Sequence, residues 1–126
     1  MIKIVEITLD FVALISTNTH ITGIFPQAAV AGTKLPFIIY RRNNINDHAS
    51  KDGIYRRDVT FDIDIVTNTY TSGLEVLDEL TAILYGKQFV NPHYGYDVKV
   101  DNITESLDTE QELFIQTITC TIEAQN

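Results

Sequence analysis

Asp62 and Asp64 are the residues of this chain best spaced for chemistry. Two positions apart on a strand, their carboxylates share a face, where they could act as an acid/base pair or ligate a hard divalent cation. The same spacing marks the wet side of a half-buried strand, and the neighbours favour that reading. Val59, Phe61, Ile63 and Ile65 alternate with Thr60, Asp62, Asp64 and Val66. His93-Tyr94-Gly95-Tyr96 is a second group, readable as a ligand-gripping loop; an aromatic lid over the core or a subunit contact is the preferred reading. His20, His48 and His93 are scattered, and Cys120 is the single cysteine. That set supplies neither a structural zinc site nor an internal disulfide. Cys120 falls mid-strand among apolar residues and reads as a buried small hydrophobe, not a nucleophile. The six glycines are scattered singly, so no phosphate-cradling loop forms, and there is no G-x-S-x-G elbow.

Charge offers a stronger signal. The formal net charge is −8, which disfavours nucleic-acid binding through the overall field. Its distribution is uneven. Lys34, Arg41, Arg42, Lys51, Arg56 and Arg57 crowd one stretch with only Asp47 and Asp52 among them. From Asp97 onward, Asp97, Asp101, Glu105, Asp108, Glu110, Glu112 and Glu123 face only Lys99. Solvated strand faces would explain this, and so would two surfaces matched for a partner.

The basic stretch is predicted to be a short strand, Phe37–Tyr40, a long polar loop, Asn43–Gly53, and a second strand. Arg41-Arg42 and Arg56-Arg57 bracket the loop, and pairing of the strands would gather four guanidinium groups at its base. Each pair should offer one arginine to each side of the sheet. Their repulsion would be relieved by partner carboxylates, the loop ordering on docking. Arg41, Arg42, Asp47, His48, Lys51, Asp52, Arg56 and Arg57 are therefore the candidate interaction residues. The alternative is that these charges merely protect exposed strand ends.

The remaining pattern supplies the scaffold. Lys3–Ser16 is predicted helical, with Val5, Leu9 and Val12 on the core face and Ile4, Phe11 and Ile15 widening it. Ile21–Val30, holding Pro26, suits an edge strand or extended segment, and Ala31–Lys34 a turn. Asp58–Thr67 is the clearest strand. Ser72 and Glu75 form a capping box for a helix that carries Leu74, Leu77, Leu80, Thr81 and Leu84 and ends at Gly86. Tyr96–Leu107 and Glu112–Glu123 are strands joined by a polar turn. The whole predicts one α+β domain over residues 1–126: an antiparallel β-sheet with two helices packed on one face and a long β-hairpin arm. No apolar run is long enough for a membrane span.

Three segments together resemble the tail-completion (tail-to-head joining, terminator-like) proteins of long-tailed bacteriophages and their prophages. They are Pro36-Phe37-Ile38-Ile39-Tyr40, Arg57–Ile65 and the helix Leu74–Leu84, with support from Ile21–Pro26 and the closing strand. The resemblance covers most of the chain, although the first helix is short and Lys87–Asp101 is an aromatic insertion. It implies a homo-oligomeric ring, usually of six subunits, at the head-proximal end of the tail tube. Such a ring stops tube growth and joins tail to head, with the tail tube protein and head connector proteins as partners. It implies no cofactor, synthesis in the bacterial host cytoplasm and residence in the virion tail. A head-to-tail ring needs two different complementary surfaces per subunit, here the arginine-rich hairpin and the acidic closing strands. The rivals are a small enzyme or ligand-binding domain, needing Asp62, Asp64, His93 or Tyr96 around an apolar pocket, and another head-tail connector or tail-tube protein of the same virion.

Overall fold

The architecture grows from one strand. In the computed structural model, which describes residues 2–30 and 32–126, Val59, Phe61, Ile63 and Ile65 are all buried on strand β3, Gly53–Thr67. The intervening Thr60, Asp62 and Asp64 lie on the opposite, half-exposed face. A one-residue slip would drive two carboxylates into the apolar core, so the register is strongly specified.

Around β3 the chain adds helix α1, Ile4–Ile15, then strands β1, Gly23–Pro26, and β2, Phe37–Ser50. After β3 come helix α2, Tyr70–Leu84, and strands β4, Gln88–Val90, β5, Gly95–Asp108, and β6, Leu113–Gln125. The strands form one six-stranded sheet in the order β1-β2-β3-β6-β5-β4. Every neighbouring pair is antiparallel except β1 with β2, which is parallel. The proline-bearing segment is the edge strand β1, as its residues predict. Ala31, expected in a turn, lies outside the described residues.

Both helices pack on one face, where Ile7, Phe11 and Ile15 of α1 and Val76, Leu80 and Leu84 of α2 join the inward residues of β3, β5 and β6. The α+β expectation holds. The inward face of α1 does not. Val5 and Leu9 are 60% and 64% exposed; the helix buries Phe11 and Ile15, expected at the border of the core face, together with Ile7. The helix is apolar nearly all round, so two stripes fit its period equally well. The helix cap also differs: Thr69, not Ser72, is the N-cap of α2, its hydroxyl accepting from the Ser72 N–H at 3.2 Å. Gly86 follows α2 with φ of 62°, the left-handed turn expected there. His93-Tyr94-Gly95-Tyr96 is a lid: Tyr94 and Tyr96 are buried against α1. The Tyr94 hydroxyl donates to Glu6, and the Tyr96 hydroxyl donates to Asp10 at 2.6 Å.

The largest departure is the arm. The predicted loop Asn43–Gly53 is strand almost throughout: β2 and β3 pair from Phe37↔Val66 to Ser50↔Gly53, leaving Lys51-Asp52 as the turn. Gly53, with φ of 114°, takes a backbone conformation that a side chain would strain. The long hairpin is real, but no loop remains within it to order on docking.

Candidate assembly surface

The face of the sheet away from the helices carries the polar chemistry, and register explains how. Arg41 lies opposite Asp62, and Asp62 opposite Thr119. Alternation therefore places guanidinium, carboxylates and hydroxyls on one surface. Arg41 Nη1 donates to Asp64 Oδ2 at 2.5 Å, and Arg41 Nε lies 4.0 Å from Asp62. Asn43 Nδ2 donates to Asp62 Oδ2 at 3.1 Å. Thr119 donates to Asp62 at 2.8 Å and Thr117 to Asp64 at 2.7 Å. Asp62 thus accepts from Asn43 and Thr119, and Asp64 from Arg41 and Thr117. The hydrogen bond from Arg41 to Asp64 raises the guanidinium pKa, keeping it charged.

Nearer the arm tip a second network forms. Arg56 grips Asp58 through Nε and Nη2, at 2.8 and 2.9 Å, and its Nη2 also reaches Glu123 at 3.2 Å. His48 Nε2 lies 2.9 Å from Asp58, and Lys99 Nζ lies 2.7 Å from Glu123. On the helix side, Arg57 donates to both Asp47 oxygens, at 2.7 and 3.1 Å, and to the Ile2 carbonyl at 3.1 Å.

This geometry corrects the expected arginine cluster. Arg41 and Arg42 lie opposite Asp62 and Phe61, whereas Arg56 and Arg57 lie opposite His48 and Asp47. The two pairs are thus separated along β3 by about 13 Å. They do not gather at a loop base, and three of the four are already matched by carboxylates of the same chain. Each pair does offer one arginine to each face. Arg42 is exposed and makes no ion pair among the described residues. Lys51 and Asp52 sit exposed at the turn. The internal pairing of Arg56 with Glu123 was invisible in the sequence, because it needs β3 and β6 to be neighbours.

Burial pushes the Asp58 carboxyl up, but the hydrogen bonds from Arg56 and His48 outweigh it and hold the group below its ordinary 3.8. A depressed folded value stabilises the protein above the unfolded pKa and is lost as pH falls through the folded one. Stability is therefore expected to decline on acidification below about pH 4. Asp58→Asn should flatten that decline; urea midpoints measured across the acid range check it.

The enzyme-like candidates do not converge. Asp62 and Asp64 face away from the helices, whereas Tyr94 and Tyr96 are buried on the helix side. Among the described residues no group of three or more His, Cys, Asp or Glu is placed to hold a metal ion. Cys120 is fully buried, and burial raises its thiol to about 12. No helix among the described residues is long and apolar enough to cross a membrane.

No protein-family model matches the chain, and no curated protein matches it by sequence. Among solved structures, a chain from the virion of the native gene transfer agent particle is similar to it, with a TM-score of 0.67. The match covers 90% of this chain and 83% of that one at 13% identity. At that identity the likeness establishes a shared fold.

Proposed function

We propose that this chain is a structural subunit of a phage-like virion. In this reading, copies close into a homo-oligomeric ring, of six subunits by the tail-completion resemblance, at the head-proximal end of the tail. The ring ends tube growth and joins the tail to the head, with tail tube protein and head connector proteins as its neighbours. The observation that carries the reading is the fold shared over 90% of the chain with a component of a gene transfer agent virion. It is supported by a half-exposed polar sheet face and a long projecting hairpin, the kind of surfaces a subunit presents to other chains. The reading assigns the protein no catalysis and no cofactor. It was made in the host cytoplasm and resides in the tail.

Deleting the gene in the particle-producing host tests this. Electron microscopy should show filled heads separate from tails, with tails of irregular length. Joined particles of normal length would overturn it. Filled heads lacking any tail tube would place the subunit elsewhere in the virion.

A further inference from the structure

Two stretches of the sheet lack a neighbouring strand. β1 covers β2 only from Phe37 to Tyr40, so Arg41–Ser50 has an open outer edge among the described residues. β4 covers β5 only from Gly95 to Asp97, and the Val98 N–H donates to the Lys87 carbonyl. Beyond it, Lys99–Asp108 is open among the described residues. Each free stretch is ten residues long, and open backbone edges are templates for another strand.

The two edges are chemically complementary. On β2, Asp47 is already occupied by Arg57, leaving Arg42 as the cation without an ion pair among the described residues. On β5, Lys99 is occupied by Glu123, leaving Asp101, Glu105 and Asp108 without one. The β5 edge also carries Ile103 and Leu107, which are 37% and 53% exposed.

We propose that the β2 edge, Arg41–Ser50, of one copy pairs antiparallel with the β5 edge, Lys99–Asp108, of a second copy. This deepens the ring reading above and rests on it. Aligning the ends sets Arg41 against Asp108 and Ser50 against Lys99. Within that register two irregularities fall into place. β2 shifts register between Arg42 and Asn44, and β5 between Val100 and Asn102. Allowing one extra residue in each edge keeps side chains on matching faces throughout. Asn44 then meets Ser106, Asn46 meets Thr104 and His48 meets Asn102 on the polar face. On the helix face Arg42 meets Leu107 with Glu105 diagonal to it, and Ile45 lies diagonal to Leu107 and Ile103.

The contact also has the stagger that closure requires. A path at right angles to the strands runs from Arg41 through Asp62, Thr119 and Asn102. It returns to the next copy at His48, about six register steps along β2 after four strand crossings, a strand tilt of about 45°. Closed barrels tilt their strands by about 35–45°. α2 connects β3 to the parallel strand β5; with the usual right-handed crossover and helices outward, this stagger leans the strands with the ordinary sheet twist. The interface is heterologous, so it repeats around a ring, with the polar Thr and Asp face lining the lumen.

Disulfide trapping of the full-length chain tests the register. Asn46→Cys combined with Thr104→Cys should oxidise into covalent multimers. Either single variant, or Asn46→Cys with Ser106→Cys, should not; Cys120 is buried and present in all. Arg42→Glu should suppress the ladder, and adding Glu105→Arg should restore it. Circular dichroism matching the wild type shows that each variant is folded. If folded double variants give no ladder above the singles, the pairing is overturned. Wild-type rings in electron micrographs would then leave the ring reading standing, whereas their absence would remove both.

Discussion

Phe61→Ala is expected to destabilise the protein by about 3–5 kcal/mol. Phe61 of β3 stacks on Phe11 of α1, with ring centroids 4.4 Å apart and planes 8° from parallel, and both rings are buried. Truncation removes a large apolar side chain and leaves a cavity that the surrounding β-strands are too constrained to fill. The loss also reaches α1, whose Phe11 would lose its flat partner. Phe11→Ala should cost a similar amount. The double variant should cost less than the sum by about 0.5–1.5 kcal/mol, the coupling typical of an aromatic pair. Urea unfolding of the four proteins measures this. A cost below about 1 kcal/mol for Phe61→Ala would mean that α1 does not rest on β3.

Gly73→Leu is expected to cost about 1–3 kcal/mol, whereas Gly73→Ala should be close to neutral. Gly73 is buried in the first turns of α2, where the helix meets the sheet. A Cβ there would lie 3.1 Å from Thr67 Oγ1 and 3.6 Å from Gln116 Cγ. Alanine meets that tight contact, but gains about 1 kcal/mol of helix propensity over glycine. Leucine has nowhere to go without lifting the helix from β3 and β6. Thermal unfolding reads the difference, at about 3–5 °C per kcal/mol for a chain of this size. Equal melting points for the leucine variant and the wild type would show that α2 stands off the sheet.

The legibility of this fold varied with how strongly each segment was contrasted. In β3, Thr and Asp alternate with Val, Phe and Ile, so strand, face and register could all be read from the sequence. In α1 almost every side chain is apolar, and Val5-Leu9-Val12 fits a helical period as well as Ile7-Phe11-Ile15. Only the position of Phe61 chooses between them. The outer half of the arm, Asn43–Ser50, is exposed except at Ile45 and His48, so it carries little alternation and reads as loop although its backbone pairs from Asn44 onward. The charged residues of the site were recognisable as a group, but their partners were not. Arg56 reaches Glu123 across 67 positions of sequence, and only the strand order brings them together.

That order has a consequence for biosynthesis. β6 is the last of the described strands, yet it lies between β3 and β5 and touches both along nearly its full length. A nascent chain on the ribosome can form the hairpin and both helices while the middle of its sheet is still missing. The two halves join only when β6 has emerged from the exit tunnel. A chain interrupted before β6 would therefore lack the strand that joins β3 to β5.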